Sequence, residues 1–304
     1  MSLPAETRLP RYPRIEPAAK NDRVLIVAPH MDDEAIGAGA YALDAIRAGA
    51  DVFVAFLTAG DCARFSARLL TRRVVPSPSD YLTVGRTRIG EAYRAMRILG
   101  VPAEHIFVLG YPDRGLRTIV DQPATVVRST STGHDSVPYA IALSPGAPHS
   151  LENIIRDLRR VFDLVTPSTV ITPVPFDRHP DHSAAADIVD LAIDALPYAP
   201  NRLGYVVHTS RMLTSLVWTP ERALLPPARM RSFTWATYPV SPRAQDVKAA
   251  MLETYKSQRP YTYFLRNAFV RSNELFFAYE SETVNVARAV TSFACAPYSS
   301  PSSP

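Results

Sequence analysis

Lysine, cysteine and tryptophan are scarce in this 304-residue chain, with three, two and two copies. The two cysteines, Cys62 and Cys295, lie far apart and cannot supply a disulfide framework, so reduced thiols in a cytosolic setting are expected. No stretch approaches the roughly 18 apolar residues that a membrane span needs. The opening residues, MSLPAETRLPRYPRIEPAAK, also lack the apolar centre of a secretory leader. A soluble cytoplasmic protein is expected.

Lysine occurs only at 20, 248 and 256, so nearly all of the 33 basic residues are arginine; against 29 acidic residues they leave a net charge of +4. The arginines read as scattered rather than gathered in runs with interleaved aromatics, which argues against nucleic acid as a partner. They read instead as a solvated surface, with some free to meet polar or anionic groups of a substrate. A hydrophobic fraction of 47% with 20% charged residues is ordinary for a folded chain.

Residues 1–22, polar and rich in proline, read as an N-terminal arm laid over one domain spanning 23–294. The low-complexity end, 295–304, reads as disordered. Within the domain, VLIVAP at 24–29 and VFVAFLT at 52–58 are continuous apolar runs suited to buried parallel strands, and helical spacing fills 34–48 between them. A long loop is expected over 59–82, then a helix over 86–99 that Gly100 stops and a strand at 105–110. A second long loop covers 114–150, followed by a helix at 151–162 and a strand at 168–174. Further strands are expected at 203–208, 213–218 and 273–279, with a helix over 242–255. Alternating strands and helices predict a Rossmann-like α/β fold: a mostly parallel sheet flanked by helices, in a single domain with a C-terminal extension.

Two polar clusters follow strands, where ligands bind in open α/β sheets. The first is His30, Met31, Asp32, Asp33, Glu34. Three adjacent acids and a histidine are costly to desolvate without a cation or hydrogen bonds. Alternatively Asp32 or Asp33 caps the following helix. The second cluster is His179, Pro180, Asp181, His182, with Pro180 suited to a first helical turn and the two histidines at i, i+3. Helix capping is again the plainer reading. A catalytic zinc wants about three protein ligands and an open position, a number that His30, Asp33 and His182 supply. Glu34 reads as a hydrogen-bonding support of the loop that carries the first cluster or, preferred, as a stabilising acid in the first helical turn. Trp218 and Trp235 read as packing residues.

With these residues in view, VLIVAPHMDDEAIGAG and the HPDH at 179–182 resemble the two signatures of the PIG-L/LmbE-like deacetylase family. Arg88 with Glu91, the GYPD turn at 110–113 and RSNELF at 271–276 extend the resemblance over roughly 23–280. It implies metal-dependent removal of an N-acyl group from an N-acetylglucosamine-type amide. Its metal ligands would be His30, Asp33 and His182, for Zn²⁺ or another divalent ion such as Fe²⁺ or Co²⁺. Asp32 would be the general base, and His179 the charged partner of the transition state, oriented by Asp181. Met31 stands where proline is usual, with no chemical consequence expected. Asp177 stands where some members carry an oxyanion-binding tyrosine, leaving that donor unassigned. Arg88, Asp113 and His208, near strand ends, are candidates to bind a small amino-sugar substrate, with a surface ion pair the alternative for Arg88 and Asp113 and a structural role the alternative for His208. Self-association is left open. The alternatives are an amidase or esterase on a non-sugar acyl compound, and a non-catalytic carbohydrate-binding protein of the same fold.

Overall fold

In a computed structural model, residues 12–209, 217–259 and 261–279 are described. The continuous apolar runs form the centre of a sheet: β1 (Arg23–Ala28), β2 (Asp51–Thr58), β3 (Ile106–Tyr111), β4 (Thr169–Pro173) and β5 (Asn201–Tyr205). These five are parallel in the order β3-β2-β1-β4-β5. Beyond β5 come two antiparallel additions, β7 (Asn273–Ala278) and then β6 (Trp235–Pro239) at the outer edge. All of β4, and all of β1 after Arg23, is buried, as strands covered by helices on both faces must be.

The helices are α1 (Asp33–Ala48), α2 (Arg64–Thr71), α3 (Pro78–Leu99), α4 (Leu116–Asp121), α5 (Leu151–Val165), α6 (Pro180–Ile193), α7 (Pro242–Thr254) and α8 (Tyr261–Phe269). Helices α1, α3 and α7 pack on one another, while α6 packs on α4 and α5. The expected Rossmann-like architecture is therefore present. β1 and β4 are neighbours from which the strand order proceeds in opposite directions, so a crevice opens between their carboxyl ends. Among the described residues no helix is long and apolar enough to cross a membrane.

Four local expectations change, the first being that the loop expected over 114–150 contains the short helix α4, Leu116–Asp121, which packs on α6. The span read as a loop over 59–82 contains α2 and the start of α3, which begins eight residues before Arg86. The SPSD sequence that looked like a loop is a helix start: Ser77 and Asp80 form a capping box and Pro78 sits in the first turn. Next, β6 and α8 were not anticipated; β6 is a five-residue strand set by its pairing with β7, Trp235 opposite Phe277 through Pro239 opposite Asn273. Lastly, the arm is partly a sheet element, because Ile15 and Thr237 exchange main-chain bonds with Thr237 and Pro13 at 2.9 and 2.8 Å. Most of the strand expected at 213–218, the tail 295–304 and Cys295 lie outside the described residues.

Helix α1 is broken at Ala38, where φ is −146°. The backbone N–H groups of Ala40 and Tyr41 donate to the Glu274 carboxylate at 2.9 Å each. Lys248 donates to Glu274 at 2.6 Å and to the Ile36 carbonyl at 2.8 Å, so a buried ion pair closes both sides of the break. Gly37 is required beside it, since a Cβ there would meet the Tyr205 ring at 2.5 Å. Removing one partner strands the other charge in the interior. Glu274→Ala should lower the unfolding free energy by about 3–5 kcal/mol, read from urea denaturation.

Candidate active site

The loops leaving β1 and β4 face each other across the crevice and line a cavity of about 300 Å³, whose walls include His30, Asp32, Asp33, His179, His208 and Tyr261. Asp33 is the centre of the polar cluster. Its Oδ2 lies 3.2 Å from His30 Nδ1 and 3.1 Å from His182 Nε2, and it accepts the His30 main-chain N–H at 3.0 Å. The other nitrogen of each imidazole faces a carboxylate. His30 Nε2 is 3.1 Å from Asp181 and 3.3 Å from Asp113, and His182 Nδ1 is 3.4 Å from Asp177.

His182 is fully buried, yet neither of its ring nitrogens has a well-directed hydrogen bond. Two imidazole nitrogens and one carboxylate oxygen converging, each imidazole backed by a further carboxylate, is the donor set of a divalent-metal centre with its outer shell. The residues fit such an ion. Nitrogens of His30, His179 and His182 also lie within 4.8 Å of one another, so His179 stands beside the same centre. In the bare protein the charges compensate one another: burial opposes a charge on His182, but Asp33 and Asp177 raise its pKa to about 9. Burial likewise opposes charge on Asp33, and His182 and His30 overcome it, holding that carboxyl well below its usual range.

Asp32 occupies a strained backbone position, φ 147°, that only a surrounding scaffold can hold. Its N–H donates to Glu34 at 3.0 Å, and Glu34 accepts from the Tyr255 hydroxyl at 2.5 Å. Arg88 donates to the carbonyls of Met31 at 2.6 Å and Gly60 at 2.9 Å, and pairs with the Asp32 carboxylate at 3.2 Å. Burial pushes the Asp32 carboxyl up to about 6, with Arg88 holding it from rising further. Glu34 stands in the first turn of α1, as expected, and its side chain is also a strut of this loop. Arg88, buried and bonded to the loop, grips Asp32 and also lines the cavity.

The expected pairing of Asp181 with His179 is also corrected. The Asp181 carboxylate accepts the N–H groups of Arg114 and Leu116 at 2.6 and 3.1 Å and supports His30. Only its main-chain N–H reaches His179, donating to Nδ1 at 3.2 Å, so His179 is the cap of α6 as well as a wall of the cavity. In the bare protein burial and the neighbouring His30, His182 and His208 push the His179 pKa down to about 3, which favours the neutral imidazole over the cation expected. Its Nδ1 accepts, leaving the proton on Nε2.

His208 is brought to the site, 4.5 Å ring to ring from His182 and 4.9 Å from His179. Its Nδ1 lies 3.3 Å from Asp177, whose carboxylate also accepts from the main chain of His179, Val207 and His208 at 2.9, 2.8 and 3.0 Å. Asp177 therefore ties the α6 start to the end of β5. Asp113, also a cavity wall, accepts the Cys62 N–H at 2.7 Å.

Residues 25–193, more than half of the chain, match the family model described as PIG-L: GlcNAc-PI de-N-acetylase. The chain belongs to the PIG-L family. A relative in Kribbella flavida named 1D-myo-inositol 2-acetamido-2-deoxy-alpha-D-glucopyranoside deacetylase is 32% identical over 175 residues, 56% of this chain and 53% of the relative. One of the same name in Corynebacterium glutamicum is 31% identical over 180 residues, 57% and 54% of the two chains. The chain thus spans about half the length of these relatives. Among solved structures, the Pyrococcus horikoshii N,N'-diacetylchitobiose deacetylase shares the fold at 18% identity with a TM-score of 0.53, covering 83% of this chain and 82% of that one. So does a Pseudomonas putida KT2440 hydratase, at 16% identity and a TM-score of 0.51, covering 87% and 99%.

One group of this PIG-L chain was not singled out in the sequence. Asp61, at the end of β2, is buried beneath the cavity wall and accepts hydrogen bonds from Tyr139 and, at 3.3 Å, from Ser131. Burial, reinforced by Asp113, raises its pKa to about 7. An acid raised in the folded state stabilises fully below its unfolded pKa, and that contribution is lost as pH rises through the folded value. The Asp61 contribution to stability should therefore fall between about pH 4 and about pH 7, and the difference between wild type and Asp61→Asn in urea titrations should change across that window with this sign. Asp177→Asn should weaken divalent-metal binding about 10–100-fold by releasing His182, measured by competition with a chromogenic chelator.

Proposed function

We propose that the protein is a zinc-dependent hydrolase that removes the acetyl group from an N-acetylglucosamine-type amide; the names of its relatives describe deacetylation of an acetamido sugar for them. The observation that carries this reading is the convergence of His30, Asp33 and His182, beside an Asp32 held on a strained turn and facing the same cavity. In this reading those three residues hold the ion, and Asp113, Asp181 and Asp177 fix the two imidazoles. A divalent ion bound there lowers the pKa of water to about 7 and polarises an amide carbonyl.

The chain's own groups supply the remainder. Asp32 is not a ligand in this assignment, and with its pKa near 6 it can accept the proton of the attacking water at neutral pH. Arg88 keeps its carboxylate aimed and stabilises its charged form. As the new carbon–oxygen bond forms, charge builds on the former carbonyl oxygen. His179 can donate its Nε2–H there as a neutral imidazole, a fixed donor of the kind such charge requires. When the carbon–nitrogen bond breaks, Asp32 returns its proton to the departing amine, leaving a carboxylic acid and a free amino sugar. His208, at the rim, is available to the substrate.

The test is release of acetate and free amine from N-acetylglucosamine conjugates by the purified protein, before and after chelation and on restoring Zn²⁺, Fe²⁺ or Co²⁺. Asp32→Asn should retain the metal and lose about 10²–10⁴-fold in turnover. His182→Ala should lose the metal itself. Equal metal loss in both variants reverses the assignment of base and ligand, and turnover of simple acyl esters or non-sugar amides alone removes the sugar from the reading.

A further inference from the structure

Helix α2 is turned inside out. A surface helix ordinarily buries its large apolar side chains and exposes its small or polar ones. In α2 the buried positions are Ser66 and Ala67, and the solvent face presents Phe65 and Leu69, 58% and 52% exposed. The turn that follows continues the pattern with Val74 and Val75, 78% and 75% exposed, more than any other large apolar side chain among the described residues. Ser66 accepts a bond from Gln258 at 2.9 Å, which fixes this orientation from the body of the protein.

The same face is strongly basic. Between Asp61 and Asp80 the chain has Arg64, Arg68, Arg72 and Arg73 and no acidic residue, as many positive charges as the net charge of the entire sequence. Though most of the arginines are scattered, these four are gathered. Arg73 meets Asp80 at 3.5 Å and Arg68 donates to the Val74 carbonyl at 2.8 Å, whereas Arg64 and Arg72 form no ion pair with any described residue. The face starts one residue after Ala63, which lines the active-site cavity together with Tyr261 of α8.

Exposed Phe, Leu and Val interleaved with unneutralised arginine on a helix face is the surface chemistry of an element that lies in a bilayer interface: the apolar side chains enter the acyl boundary and the cations meet anionic head groups. We propose that the outward face of α2 and the turn after it, Arg64 to Val75, dock on an anionic lipid surface and hold the cavity mouth beside the head-group layer. This docking is peripheral and needs no spanning helix. It goes beyond the hydrolase reading and does not depend on it.

The test is sedimentation of the full chain with vesicles of phosphatidylcholine alone and of phosphatidylcholine with phosphatidylglycerol, at low and high salt, without any turnover assay. Sedimentation with the anionic vesicles only, weakened by salt, is expected. Arg64→Gln with Arg72→Gln should weaken it about 30-fold, at the usual contribution of a basic residue near such a surface. Phe65→Ser with Leu69→Ser and Val74→Ser should abolish it while leaving the thermal transition unchanged, since all three side chains are exposed. Failure to sediment with anionic vesicles, or variants that sediment like the wild type, overturns the proposal. So does a wild-type mass by light scattering that is twice the chain's and halves in the apolar variant, because the face is then covered by a second copy.

Discussion

The site depends on a single unfavourable backbone turn. Asp32 sits at positive φ between a buried strand and a buried helix start, a position costing on the order of 1–3 kcal/mol for a residue with a side chain. Glu34 from below and Arg88 from the side hold it there, one accepting its N–H and the other donating to the preceding carbonyl. The strain has a structural result: neighbouring residues separate, so that Asp33 points at the two histidines while Asp32 faces Arg88 and the cavity. Two adjacent carboxylates thereby acquire opposite pKa shifts, which is how paired acids take different tasks.

The supports of this turn come from the far end of the chain. Tyr255, just past α7, bonds Glu34, and Lys248 within α7 bonds Ile36 and Glu274. Glu274 on β7 in turn receives the N–H groups freed where α1 breaks. The C-terminal extension is therefore part of the site's foundation, though it contributes few of the cavity's polar walls. A Rossmann-like sheet alone would present the same loops. It would not fix the first turn of α1 against its own tendency to continue as a regular helix.

Carboxylates outnumber the histidines they serve, and each has its hydrogen bonds taken up. Asp177 is the clearest case: it stands where some family members carry a tyrosine, and three main-chain N–H groups donate to it while two imidazoles lie beside it. A buried carboxylate so supplied stays ionised, held far below the usual range against the effect of burial by His182 and His208. It cannot donate to an oxyanion. It fixes His182 and His208, and His179 becomes the donor nearest the centre.

The sheet centre, helices α1, α5 and α6, the body of α3 and the two clusters after β1 and β4 were legible in the sequence, whereas α2 and α4 lie where it suggested loops. Continuous apolar runs, glycine stops and the close spacing of His30, Asp32 and Asp33, and of His179, Asp181 and His182, are local signals that survive folding unchanged. The sequence did not determine β6, α8, the early start of α3 or the inverted face of α2. A strand five residues long exists through its partner, and a helix face is known as inward or outward only once something packs beside it. Tertiary structure alone decided which carboxylate serves which imidazole. Asp181 lies two residues from His179 yet supports His30, and Asp177, Asp113 and His208 join the centre from three different strand ends. Sequence neighbours on adjacent helical positions point apart, and residues at separate strand ends point together. The motif therefore named the participants, and the crevice between β1 and β4 assigned their contacts.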